Sequence, residues 1–159
     1  MSSKKTLFME TTEVPAERTA AEISAEILKA GATQIATDYE DGSITGLRWT
    51  MRVYANDVTF AMPARVTPVY KILLSRKGFT TLWVKNSDGT LTTKPYHAEI
   101  YAKARRVAWR QLLRWVQAQL AMIETGMVRP EEVFLPTCLI HERIRRSFRV
   151  LNPAMVPCF

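Results

Sequence analysis

The chain has 159 residues, 47% of them hydrophobic, enough for one well-cored domain, and no apolar run is long enough to span a bilayer. Its net charge of +7 is unevenly placed: residues 1–60 carry six basic and nine acidic side chains, residues 61–159 sixteen and six. Two cysteines, Cys138 and Cys158, make no disulfide framework, and Met1 to Glu10 lacks the apolar stretch of a secretory signal, so the expected setting is cytoplasmic with both thiols reduced.

Residues 1–13 are polar, without periodicity, and are expected to form a flexible arm. Thr19-Ala20-Ala21-Glu22 has the capping-box spacing and predicts a helix with Ile23, Ile27 and Leu28 on its buried stripe and Gly31 past its end. Three segments of period two follow: Ile35, Thr37, Tyr39; Leu47, Trp49, Met51, Val53; and Val58, Phe60, Met62. They predict an antiparallel meander with one wet face. Parity calls for an odd first loop, Glu40-Asp41-Gly42, and an even second loop, Ala55-Asn56 or a four-residue extension of it. Pro63 ends the third strand, and Thr67-Pro68 predicts a helix start, with Val69, Ile72 and Leu73 buried and a stop at Gly78. Asp88-Gly89 marks an appended hairpin between Phe79–Lys85 and Thr90–Lys94.

The long helix expected over Tyr96–Glu124 is apolar around most of its circumference and should be the spine of the fold. Ile100, Tyr101, Ala104, Val107, Ala108, Leu112, Trp115, Ala118 and Met122 fall on one side, and Trp109, Leu113, Val116, Leu120 and Ile123 continue it. Leu47, Trp49, Met51, Val53, Phe60, Val107, Leu112 and Trp115 are expected among the most buried residues. Thr125-Gly126 ends this helix, Pro130-Glu131-Glu132 opens a short one and Pro136 closes it. Residues 137–159 are expected to form a basic C-terminal helix or tail. The expected fold is therefore α+β: a single domain over 14–136, in which a three-stranded antiparallel meander packs on a long central helix, with two shorter helices and an appended hairpin. The first seventy-odd residues share the α-β-β-β-α order of the double-stranded-RNA-binding fold, but Thr67-Pro68-Val69-Tyr70 stands where such domains carry lysines.

Several blocks resemble a family of small uncharacterised proteins of tailed phages and prophages. They are Val14-Pro15-Ala16-Glu17-Arg18-Thr19, Gly46-Leu47-Arg48-Trp49, Phe60-Ala61-Met62-Pro63-Ala64-Arg65 and, most clearly, Arg106-Val107-Ala108-Trp109-Arg110-Gln111 running on to Glu132-Val133-Phe134-Leu135-Pro136. The resemblance covers most of 14–136 and implies a mobile-element origin and a host-cell interior. It carries over no functional residue.

The remaining face of the spine helix holds Lys103, Arg106, Arg110, Arg114 and Gln117 at helical spacing. Each arginine can fork onto phosphate oxygens, and four cations with no interleaved acid repel one another unless an anion meets them. Arg48, Arg52 and Tyr54 share the wet sheet face with Thr50, a basic and aromatic surface of the kind that stacks unpaired bases; Asp38 and Gln34 beside Arg48 make a local ion pair the plainer reading. Arg143, Arg145, Arg146 and Arg149 crowd the tail, and Trp83 near Lys85 is a candidate exposed contact. Cys138-x2-His141 offers one ligand pair where structural zinc needs two, so no metal and no cofactor are expected. No general acid/base pair and no phosphate-binding glycine loop can be assembled.

The expectation is a non-enzymatic accessory protein of a phage or mobile element that binds DNA or RNA mainly through phosphates. The alternative is a protein-binding inhibitor of a host defence complex, anti-CRISPR-like, that presents the same basic surface. A self-assembling homo-oligomer is a third possibility.

Overall fold

The computed structural model describes residues 6–53, 55–76, 81–86, 88–95 and 97–134, with 81–85 and 91–95 described as backbone only. Helix α1 (Ala16–Lys29) starts three residues before the expected cap. Pro15 stands at the N-cap position with φ −57° and ψ 149°, and its carbonyl accepts both the Thr19 amide (3.1 Å) and the Thr19 hydroxyl (3.2 Å). Thr19 is buried inside the helix, its hydroxyl satisfied one turn back rather than capping. Ile23 and Ile27 are buried as expected, but Leu28 is 54% exposed. Gly31, at φ 98°, follows the helix end.

Strands β1 (Ala32–Glu40), β2 (Ser43–Val53) and β3 (Asn56–Pro63) form one antiparallel sheet in that order. Leu47, Trp49, Met51 and Val53 face Met62, Phe60, Val58 and Asn56 across the ladder, and the apolar members of these pairs are buried. The parity argument holds, but the odd residue is not in the turn. Glu40 pairs with Ser43, so the turn is Asp41-Gly42, both at positive φ (48° and 71°), the primed form that matches strand twist. The extra residue is Thr45, bulged where Asp38 pairs with Gly46 and Tyr39 with Ile44. Beyond the bulge Tyr39, expected on the inner face, is exposed. Val53 pairs with Asn56, so the second connection is even, one residue earlier than expected.

Helix α2 (Val66–Ser75) begins two residues before Pro68, with Arg65 at its N-cap position. Pro68 sits in the first turn, where a missing N–H forfeits no helical bond. Val69 and Leu73 are buried and Ile72 is 43% exposed; Lys77 and Gly78 lie outside the described residues. Strands β4 (Thr81–Lys85) and β5 (Leu91–Pro95) pair with each other and, among the described residues, with no other strand, as a separate ribbon. Its turn is fastened by the Asn86 amide donating to the Thr90 carbonyl (2.8 Å), with Gly89 at φ 85°.

Helix α3 (His97–Glu124) is the spine and serves two clusters. Its first half, Ile100, Ala104, Val107 and Ala108, packs with Val66, Val69 and Leu73 of α2. Further along, Trp109, Leu113 and Val116 join α1, the inner sheet face and Phe134 of the short helix α4 (Pro130–Phe134). Trp115 is not among the most buried residues: it is 38% exposed, touching Phe134 edge-on, and Leu112 is only partly buried. A helix apolar nearly all round leaves its own phase undetermined. Here α1 and the sheet cover the arc of Trp109 and Val116, while Trp115 and Met122 lie at the margin.

Residues 6–13, within the expected arm, pack on the domain. Leu7 packs against the α2–α3 cluster, the Gln111 side-chain amide donates to the Phe8 carbonyl (2.8 Å), and Glu10 pairs with Arg76 with only 12% of its side chain exposed.

Candidate nucleic-acid interface

The basic stripe of α3 carries local acids that its own helix does not show, because α1 and the arm bring them. Arg110 Nη1 reaches Glu22 Oε2 at 2.5 Å, and Arg105, outside the expected stripe, reaches Glu17 Oε1 at 2.9 Å. Arg106 Nη2 lies 3.8 Å from Glu13 Oε2, while its Nε is buried without an acceptor among the described residues. Lys103 lies close enough to Glu10 to favour that carboxylate's charge. Burial works against ionisation of Glu10, but the Arg76 hydrogen bond, the Leu7 amide and the charges of Arg76 and Lys103 together hold its carboxyl below the usual value. Arg114 alone of the four stripe cations is exposed and carries no ion pair among the described residues; it donates to Gln117 Oε1 at 3.1 Å.

The wet sheet face behaves similarly. Arg48 is forked onto Asp38, and Arg52 Nε donates to Asp57 Oδ1 at 3.0 Å, so both arginines have local partners. Between them Thr50 and Thr59 hydroxyls meet at 2.9 Å. Exposed pairs of this kind add little stability, and they lower the net field that the face presents.

Once these pairs are made, cations remain elsewhere. Arg65 and Lys71 on α2 are exposed and make no ion pair among the described residues. Residues 61–97 contain Arg65, Lys71, Arg76, Lys77, Lys85 and Lys94 against one acid, Asp88. In the ribbon register Trp83 pairs with Thr93, and Lys85 with Leu91, so Trp83 and Lys85 share a face, while Lys94 opposite Leu82 belongs to the other. Arg65, Lys71 and Lys94 escaped the sequence reading because it followed helical stripes; a charge count per element separates them. Arg143, Arg145, Arg146, Arg149, Cys138, His141 and Cys158 lie outside the described residues.

An open cleft of about 730 Å3 lies between the β1–β2 turn and the start of α2, and Glu40, Asp41, Arg65 and Arg105 are among the residues that line it. His97 lies at the α2–α3 surface, its Nδ1 2.6 Å from the Tyr70 hydroxyl. Among the described residues no three His, Cys, Asp or Glu side chains converge as metal ligands, and no helix is long and apolar enough to cross a membrane. No family model matches the chain, and neither curated proteins nor solved structures give a match.

Proposed function

We propose that the protein is a non-enzymatic nucleic-acid-binding accessory protein that holds phosphates through the cations its own acids leave unpaired. The observation that carries this reading is the separation of charge. Acids of the first third of the chain are engaged with α3 and β2, and a basic excess is left on α2, the ribbon and the C-terminal segment. The ribbon that follows α2 in the chain carries Lys85, Lys94 and Trp83 in its sequence. A two-stranded ribbon is one of the two elements that fit the major groove of a duplex. Arg143, Arg145, Arg146 and Arg149 extend the positive surface in sequence. Phosphate contacts dominate such an interface and read no bases. A mobile-element setting, inside a host cell, agrees with the blocks that resemble phage and prophage proteins.

A titration of single- and double-stranded DNA and RNA at several salt concentrations tests the reading. Replacing Arg65, Lys71, Lys85 and Lys94 together by Gln should lower the salt slope by roughly 0.7 to 0.9 per lost contact, about equally for different base sequences. Absence of binding at low salt refutes it. A protein partner, such as a host defence complex, then leads. Exposed Trp115 beside Met122 favours that second reading, because aromatic anchors dominate protein interfaces.

A further inference from the structure

Arg106 is poorly served where it stands. Its one carboxylate partner among the described residues, Glu13, reaches one Nη at 3.8 Å, and the Glu13 side chain is 85% exposed. Its Nε is buried with no acceptor among the described residues. A guanidinium pairs best when Nε and an Nη both donate to one planar or tetrahedral anion, and a phosphate group supplies the two oxygens. Glu13 belongs to the arm that also sets Glu10 against Arg76 and near Lys103. That arm belongs to no helix or strand. Among the described residues its contacts include half-buried Leu7, a hydrogen bond from Gln111 and these charges, with Phe8 left 63% exposed. The acids of α1 differ: Glu17 and Glu22 sit on a helix whose Ile23 and Ile27 are locked in the core.

We propose that residues 6–13 are an acidic strap over a second phosphate-binding surface, made of Arg76, Lys103 and Arg106, which a nucleic acid uncovers by displacing Glu10 and Glu13. The inference rests on the nucleic-acid reading above but concerns a different surface. In the closed state the carboxylates hold the places that phosphate oxygens take in the open state. Arg110 and Arg105 keep their α1 partners in both.

The test compares the full-length wild type with Glu10→Gln/Glu13→Gln and with a charge-matched control, Glu26→Gln/Glu124→Gln, in the last turns of α1 and α3. The probe is a fluorescein-labelled DNA duplex of about two helical turns, titrated by anisotropy across salt concentrations. The strap variant should bind at least tenfold more tightly at low salt. Its slope should be steeper by roughly 2 to 3, for up to three added contacts at about 0.9 each. The control should show neither change beyond a small uniform gain. Adding Arg106→Gln to the strap variant should remove about one contact from the slope, whereas in the wild type it should change little. Equal slopes for strap variant and control, or an equal Arg106→Gln effect in both backgrounds, overturns the strap alone. If the wild type fails to bind and the strap variant binds, the strap stands and the open-surface reading falls. If neither binds, both fall.

Discussion

Replacing Phe134 by Ala probes how a five-residue helix is fixed to the core. Phe134 is 1% exposed, and its ring meets Trp49 at 5.4 Å, Phe60 at 5.7 Å and Trp115 at 5.9 Å, all edge-on. Its ring therefore closes the end of the main cluster over the stacked Trp49–Phe60 pair. Burying a side chain of this size contributes about 1.5–3 kcal/mol by transfer alone, and the cavity and lost ring contacts raise the cost of truncation to about 3–5 kcal/mol. With a urea dependence of about 2 kcal/mol per molar, the midpoint should fall by about 1.5–2.5 M. Unfolding followed in parallel by far-ultraviolet circular dichroism and tryptophan fluorescence checks this, since Trp49 and Trp115 both border the site. Trp115→Ala, at a residue 38% exposed, should cost less, about 1–2 kcal/mol. A Phe134→Ala midpoint within about 0.3 M of the wild type, or a larger loss from Trp115→Ala, would refute the placement of both rings.

Glu10→Gln should destabilise the docked arm at neutral pH. Because the folded carboxyl lies below its ordinary value of 4.5, its contribution is present above that value and is lost as pH falls through the folded one. The gap between wild type and variant in amide exchange over residues 7–12 should therefore close on acidification; a gap constant from neutral pH down into that range refutes the Arg76 pairing. Gly46→Ala places a Cβ 3.2 Å from the Met62 carbonyl oxygen and should cost about 1–2 kcal/mol in thermal melts, with no loss refuting the β2–β3 register there. Reversing Arg110 and Glu22 together should restore most of the stability lost by either reversal alone, read as a double-mutant cycle; additive losses would show that the two side chains do not meet.

The elements readable in the sequence are those whose signal is local and periodic. Alternation placed Leu47, Trp49, Met51, Val53, Val58, Phe60 and Met62 on one buried face, and the length of the apolar pattern gave α3 to within a residue. Where the sequence reading departed from the structure, two local signals competed. Thr19 has the composition of a cap, but Pro15, with its fixed φ and free carbonyl, takes that position first. The first hairpin needed one residue to restore parity, and a bulge at Thr45 supplies it as well as a longer turn does, so parity alone does not choose between them. Trp115 and Trp109 lie on the same broad apolar arc, and only the positions of α1 and the sheet decide which of them is covered.

The interface was harder to read for a different reason. Side-chain pairs within a helix are three or four residues apart, and by that rule Arg106, Arg110 and Arg114 have no acid in reach on α3, while Lys103 has Glu99. Their partners come from the other end of the domain: Arg105 and Glu17, and likewise Arg110 and Glu22, are 88 residues apart in sequence. Four acids of residues 1–60, Glu10, Glu13, Glu17 and Glu22, thus meet arginines of the rest of the chain. A stripe that looks like a phosphate track in isolation is, in the folded chain, partly an internal seam. Arg65 and Lys71, outside that seam, make no ion pair among the described residues, and on the proposed reading the docked arm decides whether Arg106 joins them in meeting an external anion.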